Sequence, residues 1–258
     1  MEKNRIENEK LRFRSILVTS LCVCSLSFIA AGAPDMPLLL HSDFESGTAA
    51  GWRPNIPANW RVVGIEGGRA YELVAAGTHG RVRAPTSWSL ADGLDLTAFE
   101  LSGRLKSTAD PANMLGDVCI IFHFEDPEHF YYVHFAGQSD EAHNIIGLVN
   151  GADRVKANRE AAGGSEARLK DRLWHRFKVT CDAEGEVKAY LDDLSTPILT
   201  ARDTVLGHGL VGLGSFDDTA LFDDIELRGV RRPAPGAPGP RGRKPGTAWP
   251  GTFLPRLN

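Results

Sequence analysis

The feature that most constrains the fold of this chain is an alternation of apolar and polar residues with a period of two. Residues 99–105, 177–181 and 187–191 each place apolar side chains at every second position, and the turn segment 182–185 separates the last two runs. Side chains along a strand point alternately to opposite faces of a sheet, so the pattern predicts half-buried strands. Many such strands between turn signals are typical of an antiparallel sandwich. We predict an all-β fold in which residues 177–181 and 187–191 form a hairpin.

Two further segments extend this interpretation. Residues 209–216 form a glycine-rich strand, followed by a last strand over residues 221–227; no helix follows the glycines, so they do not indicate a nucleotide-binding loop. Residues 157–172 are the best helical candidate, which the pair Gly163–Gly164 weakens. The prediction therefore stays all-β.

The most strand-like stretch is DVCIIFHFEDPEHFYYVHFA, residues 117–136, which we predict to be the central hairpin. Pairing Phe124 with Phe130 would mix polar and apolar side chains on one face, whereas pairing Phe124 with Tyr131 separates them and leaves residues 126–129 as the loop. We prefer the second register. It predicts a core face with Val118, Ile120, Phe122, Phe124, Tyr131, Val133 and Phe135, and a second face with Cys119, Ile121, His123, Glu125, Tyr132, His134 and Ala136.

Both ends of the chain differ from its middle. Residues 1–33 carry Lys and Arg first, then an apolar run from Ile16 to Ala31 and small residues, which is the pattern of a secretory signal peptide. The alternative is a retained anchor, although the run is shorter than the ~20 residues of a membrane span. Residues 231–258 are dense in Pro and Gly and predict a disordered tail. The remainder, residues 34–230, is long enough for one domain with its own core.

Charge and cysteine content limit the partners. Removal of residues 1–33 takes away five basic and three acidic residues, so the formal net charge moves from −4 to −6. An acidic domain without a basic patch argues against nucleic acid as a partner, and we expect no membrane association after cleavage. Cys119 and Cys181 remain in the domain, and the predicted register separates Cys119 from the core-facing Cys181. We therefore expect no disulfide between these two cysteines. From the signal segment we expect the protein to be secreted or periplasmic.

The chain resembles the concanavalin A-like lectin/glucanase superfamily, which has a laminin G-like jelly-roll fold of two sheets. The resemblance covers nearly the whole domain, and the opening pattern of Trp52 and Trp60 with the strand Phe99–Leu101 is also similar to secreted bacterial 3-keto-disaccharide hydrolase domains. Its motifs are Asp43-Phe44-Glu45, Trp52, Asn59-Trp60-Arg61-Val62, Gly209–Gly214 and Phe222-Asp223-Asp224-Ile225.

The resemblance implies a jelly roll that binds carbohydrate on its concave sheet. The sequence departs from the patterns of these families at two places, so the shared fold does not imply a shared activity. The Asn-Ser-Gly of the disaccharide hydrolases is absent, since Ser107–Gly116 is a different loop, and the Glu-x-Asp-x-x-Glu strand of the retaining glucanases is missing. We predict a secreted module that binds a polysaccharide or oligosaccharide. The alternatives are a glycan-cleaving enzyme, either a glycoside hydrolase or a polysaccharide lyase, and a non-catalytic structural or protein-interaction module.

The candidate catalytic residues are His123, Tyr132, His134 and Arg104. His and Tyr can exchange protons near neutral pH, and Arg can neutralise a carboxylate or a developing oxyanion. Several jelly-roll polysaccharide lyases are built on such a set of residues. The alternative is that they are packed or solvated sheet residues. A hydrolase needs two carboxyl groups across the scissile bond; Glu125 with Asp126 or Glu128 is the obvious pair, and solvated loop acids explain it better.

The candidate ligand-binding residues are Glu125, Asp140, His143, Asn144 and Trp174. Asp and Asn hydrogen-bond paired sugar hydroxyls, yet they also stabilise ordinary turns. A flat indole serves either as core or as a sugar-stacking platform, and both uses are open for Trp52, Trp60, Trp88 and Trp174. Trp174 falls on the polar side of its strand pattern, so we expect it to be exposed, whereas we expect Trp60 in the core.

A structural calcium ion is the only cofactor that we consider, with Asp43 and Asp223 as its candidate ligands. Asp223 alternates with Leu221 and Ile225, so it points to an apolar face unless the strand is bulged. A buried carboxylate needs a partner or a cation, and oxygen ligands suit calcium. The alternative is a hydrogen bond to the backbone.

Overall fold

The computed structural model describes residues 36–110, 112, 115–157 and 169–234, which form an all-β sandwich of two antiparallel sheets. This confirms the predicted fold class. Its strands are β1 Leu38–Ser42, β2 Trp52–Pro54, β3 Trp60–Ile65, β4 Gly68–Leu73, β5 Ser87–Ala91, β6 Leu96–Ser107, β7 Val118–Asp126, β8 His129–Phe135, β9 Ile145–Asn150, β10 Val155–Lys156, β11 His175–Cys181, β12 Glu186–Leu191, β13 Leu199–Arg202, β14 Leu210–Ser215 and β15 Ala220–Arg231.

Sheet 1 has the strand order β13-β12-β11-β6-β15-β4-β3, and β1 pairs with β15. The predicted hairpin of residues 177–181 and 187–191 is confirmed as β11 and β12, with Val179 opposite Ala189 and Cys181 opposite Val187. The alternating apolar side chains of these strands all belong to the core between the sheets. A period-two pattern with one buried face therefore fixed this register.

Sheet 2 has the strand order β10-β9-β8-β7-β14-β5-β2. The glycine-rich strand is confirmed as β14, which lies between β7 and β5. The side chains of Val211 and Leu213 enter the core, while Gly212 and Gly214 place no side chain on the opposite face. We call that opposite face, which points away from sheet 1, the outer face of sheet 2.

The core between the sheets contains most of the predicted apolar face of the central hairpin. Val118, Ile120 and Phe122 of β7 pack there with Tyr131, Val133 and Phe135 of β8. Trp60 is 6% exposed in the same core, as predicted, and its Nε1 donates to Ser87 Oγ at 3.2 Å. Cys119 and Cys181 are both buried and free, and they belong to different apolar clusters, Cys119 on the outer face of sheet 2 and Cys181 between the sheets.

Three expectations from the sequence lie wholly or mostly outside the described residues: the signal segment 1–33, the tail and the helical candidate 157–172. Of the helical candidate, residues 157 and 169–172 are described, and Leu169–Asp171 form a short 3-10 helix; of the tail, residues 231–234 are described. In the part of the chain that the structure describes, no helix has the length and apolar character needed to cross a membrane.

Candidate functional site

A β-bulge in the central hairpin decides which side chains face outward. Phe122 lies opposite Tyr131, and the register shifts between Phe122 and Asp126. His123 occupies the shift with a φ of 45°, a left-handed conformation that a non-glycine residue adopts rarely. The extra residue reverses the alternation, so His123 packs against Phe99 of sheet 1 while Phe124 joins the outer face. The predicted pairing of Phe124 with Tyr131 is therefore wrong.

His123 is consequently buried in the sandwich and separated from the other candidate catalytic residues. Its side chain is 2% exposed, and Nδ1 donates to the carbonyl oxygen of Leu206 at 2.9 Å. Burial lowers the pKa of His123, which keeps the ring neutral, and its Nε2 has no hydrogen-bond partner among the residues that the structure describes. The prediction that His123 shares a solvent-reachable face with Tyr132 and His134 is wrong, because the bulge turns it inward.

Arg104 lies on the other sheet, on the side of β6 that faces away from the core. Its guanidinium forms ion pairs with Asp223 and with Asp224, the latter at 2.7 Å, and stacks 4.9 Å from the ring of Trp174. The predicted group of His123, Tyr132, His134 and Arg104 is thus not brought together. Trp174, which we expected to be exposed, is only partly exposed beneath Arg104.

Asp223 is turned away from the core by a second bulge. Asp224 has a φ of 51° and the register of β15 against β6 shifts there, so Phe222 and Ile225 both enter the core. Burial raises the pKa of Asp223, although the backbone N–H of Asp224 and the guanidinium of Arg104 donate to its carboxylate. Asp223 would point to the apolar face only in a strand without a bulge, and β15 is bulged; the alternative, a hydrogen bond to the backbone, is present.

The predicted calcium site is not assembled from side chains. Asp43 accepts a hydrogen bond from the backbone N–H of Glu45 at 3.2 Å, and Asp223 is neutralised by Arg104. Within the described ranges no group of three or more His, Cys, Asp or Glu side chains could hold a metal ion. A calcium ion therefore stays a prediction for which these residues offer no side-chain cluster.

Tyr132 and His134 do share the outer face of sheet 2, with ring centroids 6.2 Å apart, but both are 0% exposed. Phe216 covers them, 5.3 Å from Tyr132 and 5.0 Å from His134. His134 Nδ1 donates to the carbonyl oxygen of Ala142, and its Nε2 lies 3.0 Å from Asp117 Oδ1 without the angle of a hydrogen bond. Burial raises the pKa of Tyr132 above its ordinary value. A substrate would reach neither ring in this arrangement.

The loop after β8 satisfies its own polar groups. Asp140 accepts hydrogen bonds from the backbone N–H groups of Ala142 and His143 and from His143 Nδ1. Asn144 is 8% exposed; its Oδ1 accepts from Ala136 N, and its Nδ2 donates to the carbonyl oxygens of Ala136 and Gln138. These contacts fit the turn interpretation of Asp140, His143 and Asn144, because their polar atoms are used within the loop.

The open part of the outer face lies over β2, β5, β14 and the end of β7. Trp88 is partly exposed there, and its ring centroid lies 5.5 Å from that of Phe124 and 6.3 Å from that of Phe130. Strands β5 and β7 lie on either side of β14, so the backbones of β5 and β7 are roughly 10 Å apart. Gly212 and Gly214 place no side chain between them, which lets the indole of Trp88 meet Phe124 across β14.

These residues line a cleft that we call the Trp88 groove. Its volume is ≈ 350 Å³. Its walls are Arg53, Pro54, Asn55, Trp88, Leu90, Phe124, Glu125, Asp126, Pro127 and Leu210. A cleft of ≈ 270 Å³ adjoins it through Asn55, Trp88 and Pro127, and one of ≈ 360 Å³ adjoins it through Phe124, Glu125 and Leu210. The three clefts share wall residues, among them the aromatic side chains of Trp88 and Phe124.

Charged groups form the rim of the Trp88 groove. Arg53 is paired with Asp92 at 2.9 Å, and Asp126 binds the ring of His129 at 2.9 Å. At the far end Oδ1 of Asp95 lies 3.0 Å from Nδ1 of His208, and Oδ2 lies 3.6 Å from Nη1 of Arg232. Glu125 is exposed and has no ion pair or hydrogen bond within the described part of the chain. Glu125 is thus a free carboxylate beside the aromatic side chains of the groove.

The sequence identified Trp88 only as one of several tryptophans that could serve as core or as a sugar platform. Its neighbours Ser87 and Ser89 face the core, where they hydrogen-bond Trp60 and Tyr71, so Trp88 faces outward; two serines give no apolar alternation from which the sequence could have shown this. For Phe124 the sequence signal was misleading, because strict alternation assigns it to the core and the bulge at His123 reverses that assignment.

The comparisons with known proteins establish the fold. No family model and no curated protein sequence matches the chain. A provisionally named glycosyl hydrolase from Parabacteroides distasonis ATCC 8503 superposes with a TM-score of 0.50 at 9% identity, over 74% of this chain and 94% of that chain. The carbohydrate-binding module CBM66 from Bacillus subtilis gives 0.47 at 19% identity, over 69% and 95%. The cellulose-induced protein Cip1 gives 0.48 at 14% identity, over 76% and 100%. At 9% identity the likeness to the hydrolase from Parabacteroides distasonis shows a shared fold and not a shared activity.

Proposed function

We propose that the protein binds a glycan chain in the Trp88 groove on the outer face of sheet 2. The observation that carries the proposal is the partly exposed indole of Trp88 beside Phe124, with the free carboxylate of Glu125 at the edge. A flat aromatic ring covers the apolar face of a sugar, while carboxylate and amide oxygens accept hydrogen bonds from its hydroxyls. A glycan laid along the groove meets both kinds of group.

The charges at the rim favour an uncharged glycan in this groove. Arg53, the arginine that lines it, is paired with Asp92. Arg81 and Arg232, which line the two adjoining clefts, are paired with Glu128 and Asp95. The acidic side chain without a partner is Glu125, which would repel a carboxylate or sulfate on the ligand. Neutral hydroxyl groups instead donate to it, and a hydrogen bond to a charged acceptor is worth about 1.5–3 kcal/mol.

The test is native affinity electrophoresis of the described domain in gels that contain neutral polysaccharides, such as xylan, β-glucan, fructan and galactan. We expect retardation by at least one of them. Trp88→Ala should abolish the retardation, because it removes the stacking surface, and Glu125→Gln should weaken it roughly tenfold in dissociation constant.

Trp174→Ala is the matched control, since Trp174 is also a partly exposed tryptophan but lies beside Arg104 on sheet 1. It should leave retardation intact. If Trp174→Ala abolishes retardation while Trp88→Ala keeps it, the binding surface is on the other sheet and the proposal is wrong.

Glycan cleavage is the second candidate function. One observation favours it: Glu125 and Asp95 line the same cleft of ≈ 360 Å³, and glycoside hydrolases use two carboxyl groups. Against it, Asp95 is already paired with His208 and Arg232 in this arrangement. Release of reducing ends that Glu125→Gln abolishes would support cleavage, whereas binding without new ends supports a binding module.

Export is part of the same proposal. Residues 1–33 have the composition of a signal peptide, and glycan polymers are met outside the cytoplasm. The N-terminal residue of the mature protein, determined by mass spectrometry of the secreted or periplasmic fraction, tests this. An N-terminus near residue 34 is expected, and an intact Met1 in that fraction would contradict cleavage.

A further inference from the structure

The bulge that forms one wall of the Trp88 groove is centred on a buried histidine. His123 has a φ of 45°, and the next two residues, Phe124 and Glu125, line the groove. The ring of His123 points the other way, into the core, where its centroid lies 6.2 Å from that of Phe99 and 5.7 Å from that of Phe122. A change at this ring is therefore one or two residues away from the groove wall.

One of the two ring nitrogens of His123 has a hydrogen-bond partner. Nδ1 lies 2.9 Å from the carbonyl oxygen of Leu206 and must donate to it, so the neutral ring carries its proton on Nδ1. Nε2 is buried and has no partner among the described residues. A second proton would go to Nε2 and create a charged N–H group without an acceptor, which is costly in an apolar core.

The charged groups near the ring do not supply that acceptor. Among the described residues, the side chains whose charge acts on His123 are His208, which disfavours the cation, and Asp95, which favours it. Asp95 is already paired with His208. The hydroxyl of Tyr131, whose ring packs against His123, donates to Asp203. Burial is the largest influence, and it lowers the pKa of His123 below its ordinary value of 6.5.

The backbone of the bulge is packed tightly against the segment 206–209. A Cβ on Gly209 would lie 2.3 Å from the carbonyl carbon of His123 and 2.5 Å from the backbone nitrogen of Phe124. Leu206 accepts from the His123 ring, and its own N–H donates to the hydroxyl of Tyr131 at 3.2 Å. The ring therefore cannot turn toward an acceptor for Nε2 unless the bulge or this segment moves with it.

We propose that His123 makes the Trp88 groove sensitive to pH: uptake of a proton at Nε2 opens the bulge and displaces Phe124 and Glu125 from the groove wall. In the opened bulge the new N–H group and its charge reach solvent, which the closed bulge prevents. Opening also relieves the left-handed backbone conformation of His123. Proton uptake and opening of the bulge are thus one event.

The direction of the pH dependence follows from the pKa difference between the two forms. A histidine exposed in the opened bulge has its ordinary pKa near 6.5, whereas burial lowers the pKa of His123 in the closed bulge. The opened form binds the proton more tightly, so the closed form loses stability as the pH falls below 6.5. One proton changes the balance by at most about tenfold per pH unit, which is at most about thirtyfold between pH 6.5 and pH 5.

This movement of the groove wall needs no ligand. Weaker binding of a polysaccharide at acid pH is its consequence, and that consequence alone rests on the proposed function.

The experiment is an NMR titration of the ¹⁵N-labelled chain without residues 1–33, from pH 7.5 to pH 4.5 and without a glycan. The ring signals of His123 should titrate with a midpoint below pH 6.5. The backbone N–H signals of Phe124 and Gly209 and the indole N–H signal of Trp88 should shift with the same midpoint, while that of Trp174 stays in place. In a second measurement, a polysaccharide that retards the protein should bind several-fold more weakly at pH 5 than at pH 7.5.

His123→Asn is the matched variant, because Asn tolerates a positive φ and its Nδ2 can replace the ring Nδ1 as a donor, but it takes up no proton. It should remove the pH dependence of the Phe124 and Trp88 signals. His208→Asn and His129→Asn remove the two histidines at the rim of the clefts, and these variants should keep the pH dependence.

Three results would overturn the inference. The first is a His123 ring that stays neutral in the folded protein down to pH 4.5. The second is a ring that titrates while the Phe124 and Trp88 signals do not move, and the third is an unchanged pH dependence in folded His123→Asn. The titration of the unsubstituted protein decides the matter even if that variant fails to fold. Signals that shift as expected in a protein that binds no polysaccharide at any pH would contradict the proposed function and leave this inference standing.

Discussion

At the scale of single residues, the histidines show how environment decides what a residue can do. His123 is buried and held neutral, since burial lowers its pKa, and His134 is buried beneath Phe216. His175 has the opposite environment. Its Nδ1 donates to Asp192 at 2.8 Å and its Nε2 donates to Asp171 at 2.9 Å, so the ring is held as a cation that fastens the start of β11. A histidine in a sequence does not reveal which of these states it will adopt.

The His175 contacts predict a pH dependence of stability. Burial alone lowers the pKa of His175, but the hydrogen bonds to Asp192 and Asp171 outweigh it and raise the pKa above its ordinary value of 6.5. A raised pKa in the folded state stabilises the protein fully below pH 6.5, and that stability is lost as the pH rises through the folded-state pKa. We expect His175→Gln to lower Tm more at pH 5.5 than at pH 9, as measured by calorimetry.

The control for this prediction is His41→Gln, because His41 is exposed on β1. The Tm difference between that variant and the unsubstituted protein should not change with pH. A Tm deficit of His175→Gln that is the same at both pH values would show that the ring contributes only packing.

At the scale of elements, alternation predicted strands well wherever they were regular. The hairpin of β11 and β12 has the predicted register, since each of its apolar residues has one buried face to occupy. The prediction for the central hairpin was wrong from His123 onward. His123 adopts a left-handed backbone conformation, which a Gly or an Asn at that position would have suggested and a His does not. The same holds for Asp224 in β15. Bulges at non-glycine residues are therefore what the sequence could not predict, and Phe124, half of the candidate site, depends on one of them.

A neighbouring glycine makes the bulge at His123 testable. Gly209 has a φ of 149°, and a Cβ there would come within 2.3 Å of the carbonyl carbon of His123. Gly209→Ala should lower the free energy of unfolding by about 1–3 kcal/mol, because the backbone of the bulge must move. Urea denaturation measures this.

Gly207→Ala is the matched control, since a Cβ at Gly207 meets no atom within 4 Å. It should change the free energy of unfolding by less than about 0.5 kcal/mol. Equal stability of the two variants would mean that the bulge tolerates a side chain beside it and does not fix Phe124.

At the scale of the whole molecule, the sandwich is held by packing between two sheets, with no covalent link between its two cysteines. Cys119 lies on the outer face of sheet 2 and Cys181 in the core. Burial raises the pKa of both thiols, that of Cys181 to about 12, so neither is a ready thiolate. We expect a reducing agent to leave Tm unchanged, within about 1 °C by calorimetry. A fall of several degrees on reduction would reveal a disulfide.

The sandwich also explains why part of sheet 2 is open to a ligand. Sheet 2 has one face in the core, and its outer face is covered in part by Val82, Ala84 and Phe216. The uncovered part is the Trp88 groove, where the two glycines of β14 leave room for an aromatic pair. Fold class and the glycan hypothesis followed from the sequence, whereas the location of the groove required the packing of four strands.

The most direct test of this account uses the indole N–H signals of the tryptophans in a ¹⁵N-labelled protein. Trp52 and Trp60 donate from Nε1 to buried hydroxyls of Ser42 and Ser87, so their signals serve as internal references. Addition of the neutral polysaccharide that retards the protein should shift the signal of Trp88 and leave that of Trp174 in place. A shift of Trp174 with an unchanged Trp88 would place the ligand on sheet 1 and contradict the account.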